Sequence, residues 1–246
     1  MNKYGLIGFP LSHSFSENYF ANKFLREGIA DCSYQNFPLE NIRQLSKLIE
    51  DPDLKGLNVT IPYKEKIIPF LHHSNDVVKA IGACNCIQIH EKSLRGYNTD
   101  AIGFEKSLTP QLKPHHTKAL ILGEGGAAKA VAYVLDKIGI EYLYLVRKGR
   151  SENNKVLFGD ATNSLFDSHT LIVNSTPLGT FPNINECPPI NYDVLTDKHY
   201  LYDLVYNPGK TLFLQKGEDK GATIKNGYEM LVLQAEESWK IWNANR

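Results

Sequence analysis

An excess of either charge is missing from this chain of 246 residues, in which 27 lysines and arginines offset 27 aspartates and glutamates. A balanced surface has no global attraction to nucleic-acid phosphates or to an anionic membrane, so neither is expected as a main partner. Cysteine is scarce as well. The four present, Cys32, Cys84, Cys86 and Cys187, include no C-x-x-C pair, which excludes a dense disulfide framework, offers no zinc template and fits a reduced compartment. Long apolar runs are absent, and the first ten residues, broken by Gly5 and Gly8, are too short for a signal segment or a membrane span. A cytoplasmic location is expected. The eight histidines show no metal-ligand spacing, so no metal is expected, and His72-His73 and His115-His116 are assigned to solvated loops.

What is present is an average soluble composition, 42% hydrophobic and 22% charged, in a length that suits two domains of ~100 to 150 residues. Residues 4–9 read as a buried strand, and Ser12-His13-Ser14 leads into a helix over residues 15–25 that stops at Gly28. Ser14 with Glu17 three residues on also matches a capping box, a purely structural use of that hydroxyl. Residues 32–37 and 56–61 are further strands, with a helical pattern at Ile42, Leu45, Leu48 and Ile49 between them. Residues 64–71 and 74–81 read as short helices, and 84–90 with 93–98 as a strand pair about Glu91-Lys92. This alternation argues for an α/β fold with a mostly parallel sheet.

From residue 108 to 118 the chain is polar and proline-bearing, which places a domain boundary there. A strand at 119–122, a glycine turn, a helix at 127–138 and a strand at 141–146 then form a βαβ unit that opens a second domain. Asn153, Asn154, Gly159 and Asn163 interrupt any helical period afterwards, so the next crossover helix is expected to be short or missing. Strands follow at 171–174 and 200–205, and a strong helix closes the pattern at 228–242.

The turn Gly123-Glu124-Gly125-Gly126-Ala127-Ala128 fits G-x-G-x-x-A between a predicted strand and helix. Glycine there lets the backbone approach a pyrophosphate, and the helix N-terminus offers aligned N–H groups, so a dinucleotide is favoured over a merely tight strand-to-helix turn. An NAD-selective site places an acid about 20 residues on, against the ribose 2′-hydroxyl. This chain has Val146-Arg147-Lys148-Gly149-Arg150 instead, and cations such as Arg147 and Lys148 pair with a 2′-phosphate. NADP is therefore favoured over NAD, the alternative being an ordinary solvated basic turn.

In the first half, Ser12, Ser14, Asn58, Thr60, Lys64, Asn85, Asn98 and Asp100 stand where burial or a strand end is predicted. Buried polar groups need partners, and the crevice beyond the carboxyl ends of the strands is the usual ligand site of an open α/β sheet. Alternation along Cys84-Asn85-Cys86 places both thiols on one face and turns Asn85 toward a polar cleft. Gln234 shares a helical side with Met230 and Leu231 and needs a partner if that side is buried, which a polyhydroxylated ligand would provide. Taken alone, Lys64 and Asp100 are two charges far apart in the chain.

Seven segments in order, however, resemble the shikimate/quinate dehydrogenase family. They are Pro10-Leu11-Ser12-His13-Ser14, Asn58-Val59-Thr60-Ile61-Pro62-Tyr63-Lys64, Gly82-Ala83-Cys84-Asn85, Gly96-Tyr97-Asn98-Thr99-Asp100, the glycine turn, Tyr206-Asn207-Pro208, and the closing Asn226-Gly227-Tyr228-Glu229-Met230-Leu231-Val232-Leu233-Gln234-Ala235. The resemblance implies a substrate-binding catalytic domain over 1–107, completed by a final helix over 227–246 that returns to it. Residues 108–226 would form a Rossmann-like, NADP-binding domain with a shortened second half.

The implied reaction is the reversible NADPH-dependent reduction of 3-dehydroshikimate to shikimate, a step of the aromatic amino-acid (chorismate) pathway. By the same resemblance Ser12 and Ser14, with Tyr206, would hold the substrate carboxylate, Thr60, Asn85 and Gln234 would bond ring hydroxyls, and Asn58 would support Thr60 or the substrate. Gly123, Gly125, Gly126, Ala127, Ala128, Arg147, Lys148, Gly227 and Met230 would line the coenzyme, and Lys64 with Asp100 would be the catalytic pair. Hydride transfer to a ketone develops negative charge on oxygen and needs a proton donor beside it, which a lysine ammonium meets. In reverse, Lys64 and Asp100 both remain open as first proton acceptor.

Two departures stand out. The family's Asn-Arg-Thr or Asn-Arg-Ser is Val146-Arg147-Lys148 here, and the segment after Arg150 is about one helix short of the doubly wound plan. Rival readings are a relative that oxidises quinate or uses NAD, and a nucleotide- or metabolite-sensing module without turnover. The expected partner is the small-molecule substrate, on a monomer or homodimer.

Overall fold

The computed structural model describes residues 1–11, 14–149 and 154–244. It forms two compact units, Met1–Ile102 with Gln234–Arg246, and Gly103–Leu233. The division after Ile102 falls a few residues before the predicted boundary, inside a helical stretch.

In the first unit, strands β1 (Asn2–Gly8), β2 (Cys32–Pro38), β3 (Leu54–Val59), β4 (His73–Ser74), β5 (Cys86–His90) and β6 (Ser93–Tyr97) make one sheet in the order β2-β1-β3-β5-β6-β4. All ladders are parallel except those of β5 with β3 and β6. The β5–β6 hairpin turns through Glu91 and Lys92 at φ 49° and 63°, the pair of left-handed residues that matches the strands' own twist.

Helix α1 (Phe15–Glu27) ends where Gly28, at φ 66°, returns its N–H to the Phe24 and Leu25 carbonyls. Helices α2 (Leu45–Leu48) and α3 (Asp76–Ile81) follow, but residues 64–71 are not a helix. Pro69 has no N–H to continue one, and the segment runs through turns into a 3-10 turn at Ile68–Phe70.

The sheet is covered on both faces. Ile7, Leu57 and Val59 join Leu45 of α2 and Val78 of α3, whereas Tyr4 and Tyr34 join Phe20 and Phe24 of α1 and Trp242. A Cβ on Gly56 would collide with the Trp242 indole, whose Nε1 donates to the Ile87 carbonyl at 3.0 Å. Cys84 and Cys86 fall in opposite clusters, contrary to the alternation expected of them. The strand begins only at Cys86, so its two-residue period does not reach Cys84.

Helix α4 (Thr99–Leu108), absent from the sequence reading, bridges the division in the chain. In the second unit, β7 (Lys118–Leu122), β8 (Glu141–Val146), β9 (Lys155–Leu157), β10 (Leu171–Asn174), β11 (Tyr200–Asp203) and β12 (Thr223–Lys225) form an all-parallel sheet in the order β12-β11-β10-β7-β8-β9. This is the doubly wound order, with its reversal between β7 and β10.

Helices α5 (Gly126–Lys137), α6 (Asn163–Ser168) and α7 (Leu212–Glu218) cover it, and α8 (Tyr228–Asn243) leads back to the first unit after Leu233. The shortening lies in the crossovers and not in the strand count. No helix is described between β8 and β9, and a 3-10 turn at Tyr192–Val194 is the described helical element between β10 and β11. His116 is buried, contrary to its assignment to a solvated loop. It meets the Lys198 carbonyl and the Lys113 N–H, and burial holds its imidazole below the ordinary value.

Candidate active site

Lys64 lies in the turn after β3, its carbonyl accepting from the Cys84 N–H at 2.7 Å, with the buried Tyr63 beside it donating to the Leu39 carbonyl. Asp100 lies in the first turn of α4, which Asn98 caps by accepting from the Ala101 N–H at 3.1 Å. These two anchored turns bring Lys64 Nζ to 2.7 Å from Asp100 Oδ2. The side chains are 21% and 13% exposed, so the ion pair is shielded but still wetted.

Behind the pair runs a buried polar network. Asn85 Oδ1 accepts from the Thr99 N–H at 2.6 Å and Asn85 Nδ2 donates to Thr99 Oγ1 at 3.0 Å, so both ends of the Asn85 amide are engaged in this network. Thr99 Oγ1 reaches Gln234 Oε1 at 3.4 Å and Ser238 Oγ at 3.2 Å. Asn58 Nδ2 donates to Ser238 Oγ at 2.9 Å, and Asn58 Oδ1 accepts from Tyr34 at 2.9 Å. Asn58, Asn85 and Gln234 are thus gathered into one network, as buried polar groups require.

Three members were missed in the sequence. Tyr34 and Ser238 carry no motif signal, and Thr99 sits inside a quoted motif but was given no role. Ser14 caps α1 by accepting from the Glu17 N–H at 3.3 Å, so the structural use of that hydroxyl is real, while its own O–H can still donate. Among the described residues the Thr60 hydroxyl makes no hydrogen bond; its backbone is tied to Ile7 and Tyr63. Ser12 and Arg150 lie outside the described residues.

In the second unit the glycine turn follows β7. Gly123 has φ 98°, which L side chains resist, and a Cβ on Gly125 would meet nothing within 4 Å. The N-cap residue Gly125 has no side chain to cap α5, so among the described residues the N–H groups of Gly126, Ala127 and Ala128 have no side-chain partner. Arg147 and Lys148 are exposed at the carboxyl end of β8, Tyr206 follows β11, and Met230 is buried in α8. Gly227 has a steric reason of its own, since a Cβ there would strike the Leu204 carbonyl. Among the described residues no group of three or more metal-ligating side chains could hold an ion, and no helix is long and apolar enough to cross a membrane.

A family model described as the shikimate dehydrogenase substrate binding domain matches residues 6–87. The shikimate dehydrogenase (NADP(+)) of Caldicellulosiruptor bescii is 37% identical over 98% of this chain and 89% of its own length. That of Clostridium beijerinckii is 38% identical, covering 98% and 92%. The shikimate 5-dehydrogenase of Thermus thermophilus, solved in complex with NADP(H) and shikimate, superposes with a TM-score of 0.82 at 27% identity, covering 99% of this chain and 94% of its own. Likeness of this extent, running through both units of the fold, makes the chain a member of the shikimate dehydrogenase family.

Proposed function

We propose that the protein is an NADP-dependent shikimate dehydrogenase that reversibly reduces 3-dehydroshikimate to shikimate, and the 2.7 Å Lys64–Asp100 pair carries the reading. NADPH, when bound, supplies the hydride. As the substrate carbonyl oxygen gains negative charge, Lys64 Nζ stands beside it and delivers the proton, and Asp100 orients the ammonium by a charge-assisted hydrogen bond. In the oxidising direction the alcohol proton passes to the same pair.

The free donor capacity of Ser14, with Ser12, suits a substrate carboxylate. Thr60, whose hydroxyl is uncommitted among the described residues, and Asn85 and Gln234 suit ring hydroxyls. Asn58 acts through Ser238 and Tyr34, holding the network in place.

The second unit fits a dinucleotide on its own geometry. The open space over Gly125 admits a pyrophosphate against the N–H groups of Gly126, Ala127 and Ala128, and Arg147 with Lys148 suits a 2′-phosphate. Gly227 and Met230 belong to this unit and complete the proposed coenzyme set. The test is an absorbance assay of purified protein with shikimate or quinate, each with NADP or NAD. Fastest turnover is expected with shikimate and NADP, and rates at the blank level in all four mixtures would overturn the reading.

A further inference from the structure

Asp203, the last residue of β11, is fully buried and has no part in the chemistry above. Its Oδ1 accepts from Asn174 Nδ2 at 2.9 Å and from the Val205 N–H at 3.0 Å, and its Oδ2 from Thr211 Oγ1 at 2.6 Å. All three donors are neutral. Burial pushes the carboxyl up to about 7, so an ionised acid is costly at this strand end.

What the acid secures is orientation. Asn174 is its cross-strand neighbour at the end of β10. With Nδ2 committed to Asp203, Asn174 must turn Oδ1 toward the following loop, where it accepts from the Thr176 N–H at 3.0 Å and Thr176 Oγ1 at 2.7 Å. Thr176 Oγ1 in turn accepts from the Leu178 N–H at 3.3 Å, and Ser175 Oγ donates to the Leu122 carbonyl at 2.6 Å, at the end of β7. The loop so built lies against the glycine turn: a Cβ on Gly123 would come within 3.1 Å of Thr176 Cγ2 and 3.2 Å of Ser175 Oγ. Strands β7 and β10 are the neighbours between which the strand order reverses, the place where open α/β sheets bind ligands.

We propose that Asp203 is a positioning residue for the nucleotide site: by holding the Asn174 amide it fixes the loop after β10 against the glycine turn. The inference rests on the reading of that turn as the coenzyme site.

The test is fluorescence titration of NADPH into the wild type, Asp203→Ala, Asp203→Asn, Thr176→Val and the Asp203→Ala/Thr176→Val double variant, with Tm measured for each. Asp203→Ala is expected to raise the NADPH Kd about 10-fold. Asp203→Asn keeps an oxygen for Asn174 and Val205 and turns an NH2 to Thr211, so its Kd is expected to stay within about twofold of wild type. The losses in Asp203→Ala and Thr176→Val are expected to overlap in the double variant, since both act on one loop.

A carboxyl with only a structural role would lower Tm and leave the Kd of the folded protein unchanged, and that result would overturn the proposal. Losses that multiply independently would do the same. Should Asp203→Ala fail to fold, Asn174→Ala removes the link while leaving Val205 and Thr211 on the carboxylate. It carries the same expectation, and an unchanged Kd there also overturns the proposal. A wild-type protein that binds no NADPH would instead overturn the coenzyme reading beneath it.

Discussion

Water still reaches both Lys64 and Asp100, so their attraction is moderate and neither charge is stranded when the other is removed. Asp100 without its lysine remains in the first turn of α4, where helix N–H groups favour an anion. Lys64→Ala is therefore expected to keep its far-UV circular dichroism spectrum and to lose ~10² to 10⁴ in kcat. Undiminished turnover in the folded variant would remove the role given to the amine.

Asp203 makes the opposite case, a carboxyl raised from an ordinary 3.8 to about 7. Its folded value lies above its unfolded one, so its contribution to stability is complete below pH ~4 and is lost as pH rises through about 7. Asp203→Asn, which mimics the neutral acid throughout, is expected to gain on wild type in urea denaturation between pH 4 and 8, by up to about 4 kcal/mol. Parallel stability curves would refute the shift. At this scale the ordered motifs singled out Lys64, Asn85 and Gln234 as candidates. Tyr34 and Ser238 were not, because a lone hydroxyl in a strand or helix carries no spacing signal, and its partners come from distant parts of the chain.

Elements with a long period were read well. The strands and helices from β1 through β3, the β5–β6 hairpin and the strand-turn-helix at Gly123 follow their apolar spacing. Strands β9 and β12 have three residues each, too few to display alternation. Helix α7 contains Gly217, which reads as a breaker but is there because a Cβ would collide with Leu201. Helix α4 escaped notice although Ala101, Phe104 and Leu108 are buried at helical spacing behind Asn98. The prolines that follow it, Pro110 and Pro114, carry the composition of a linker.

The tip of β8 tests the coenzyme assignment at the level of an element. Arg147 is exposed at the end of the strand beside β7, where the doubly wound order places the adenine ribose, and the described tip, Val146-Arg147-Lys148-Gly149, carries no acid. Arg147→Ala is expected to raise KM for NADP about 10-fold or more while changing that for NAD little, since it removes a fork that only a 2′-phosphate engages. Equal losses with both coenzymes would assign Arg147 to the pyrophosphate or to no contact.

As a whole the molecule is discontinuous: its first unit is built from the beginning of the chain and from residues after Leu233. Those residues carry Gln234, Ser238 and Trp242, the last stacked on Tyr4 at 4.8 Å and 5.5 Å from Phe20. A chain stopped after Leu233 uncovers that aromatic face, and at ~1.5–3 kcal/mol per large side chain the loss is comparable with the stability of a whole domain. Such a truncation is expected to bind a hydrophobic dye and to lower the urea midpoint, and an unchanged midpoint would show the end of α8 to be dispensable. Neutral net charge and domain number were readable from composition, but this long-range return was legible only through the family likeness, since no local pattern states which sheet a helix will cover.

That return also imposes a timetable on biosynthesis. The first sheet can assemble once Tyr97 has left the ribosome, yet the lid over Tyr4, Phe20 and Tyr34 is translated only after the entire Gly103–Leu233 unit, roughly ten seconds or more later. Throughout that interval the nascent chain displays an oily aromatic foothold, the kind of surface that chaperones shelter until the covering turns of helix emerge.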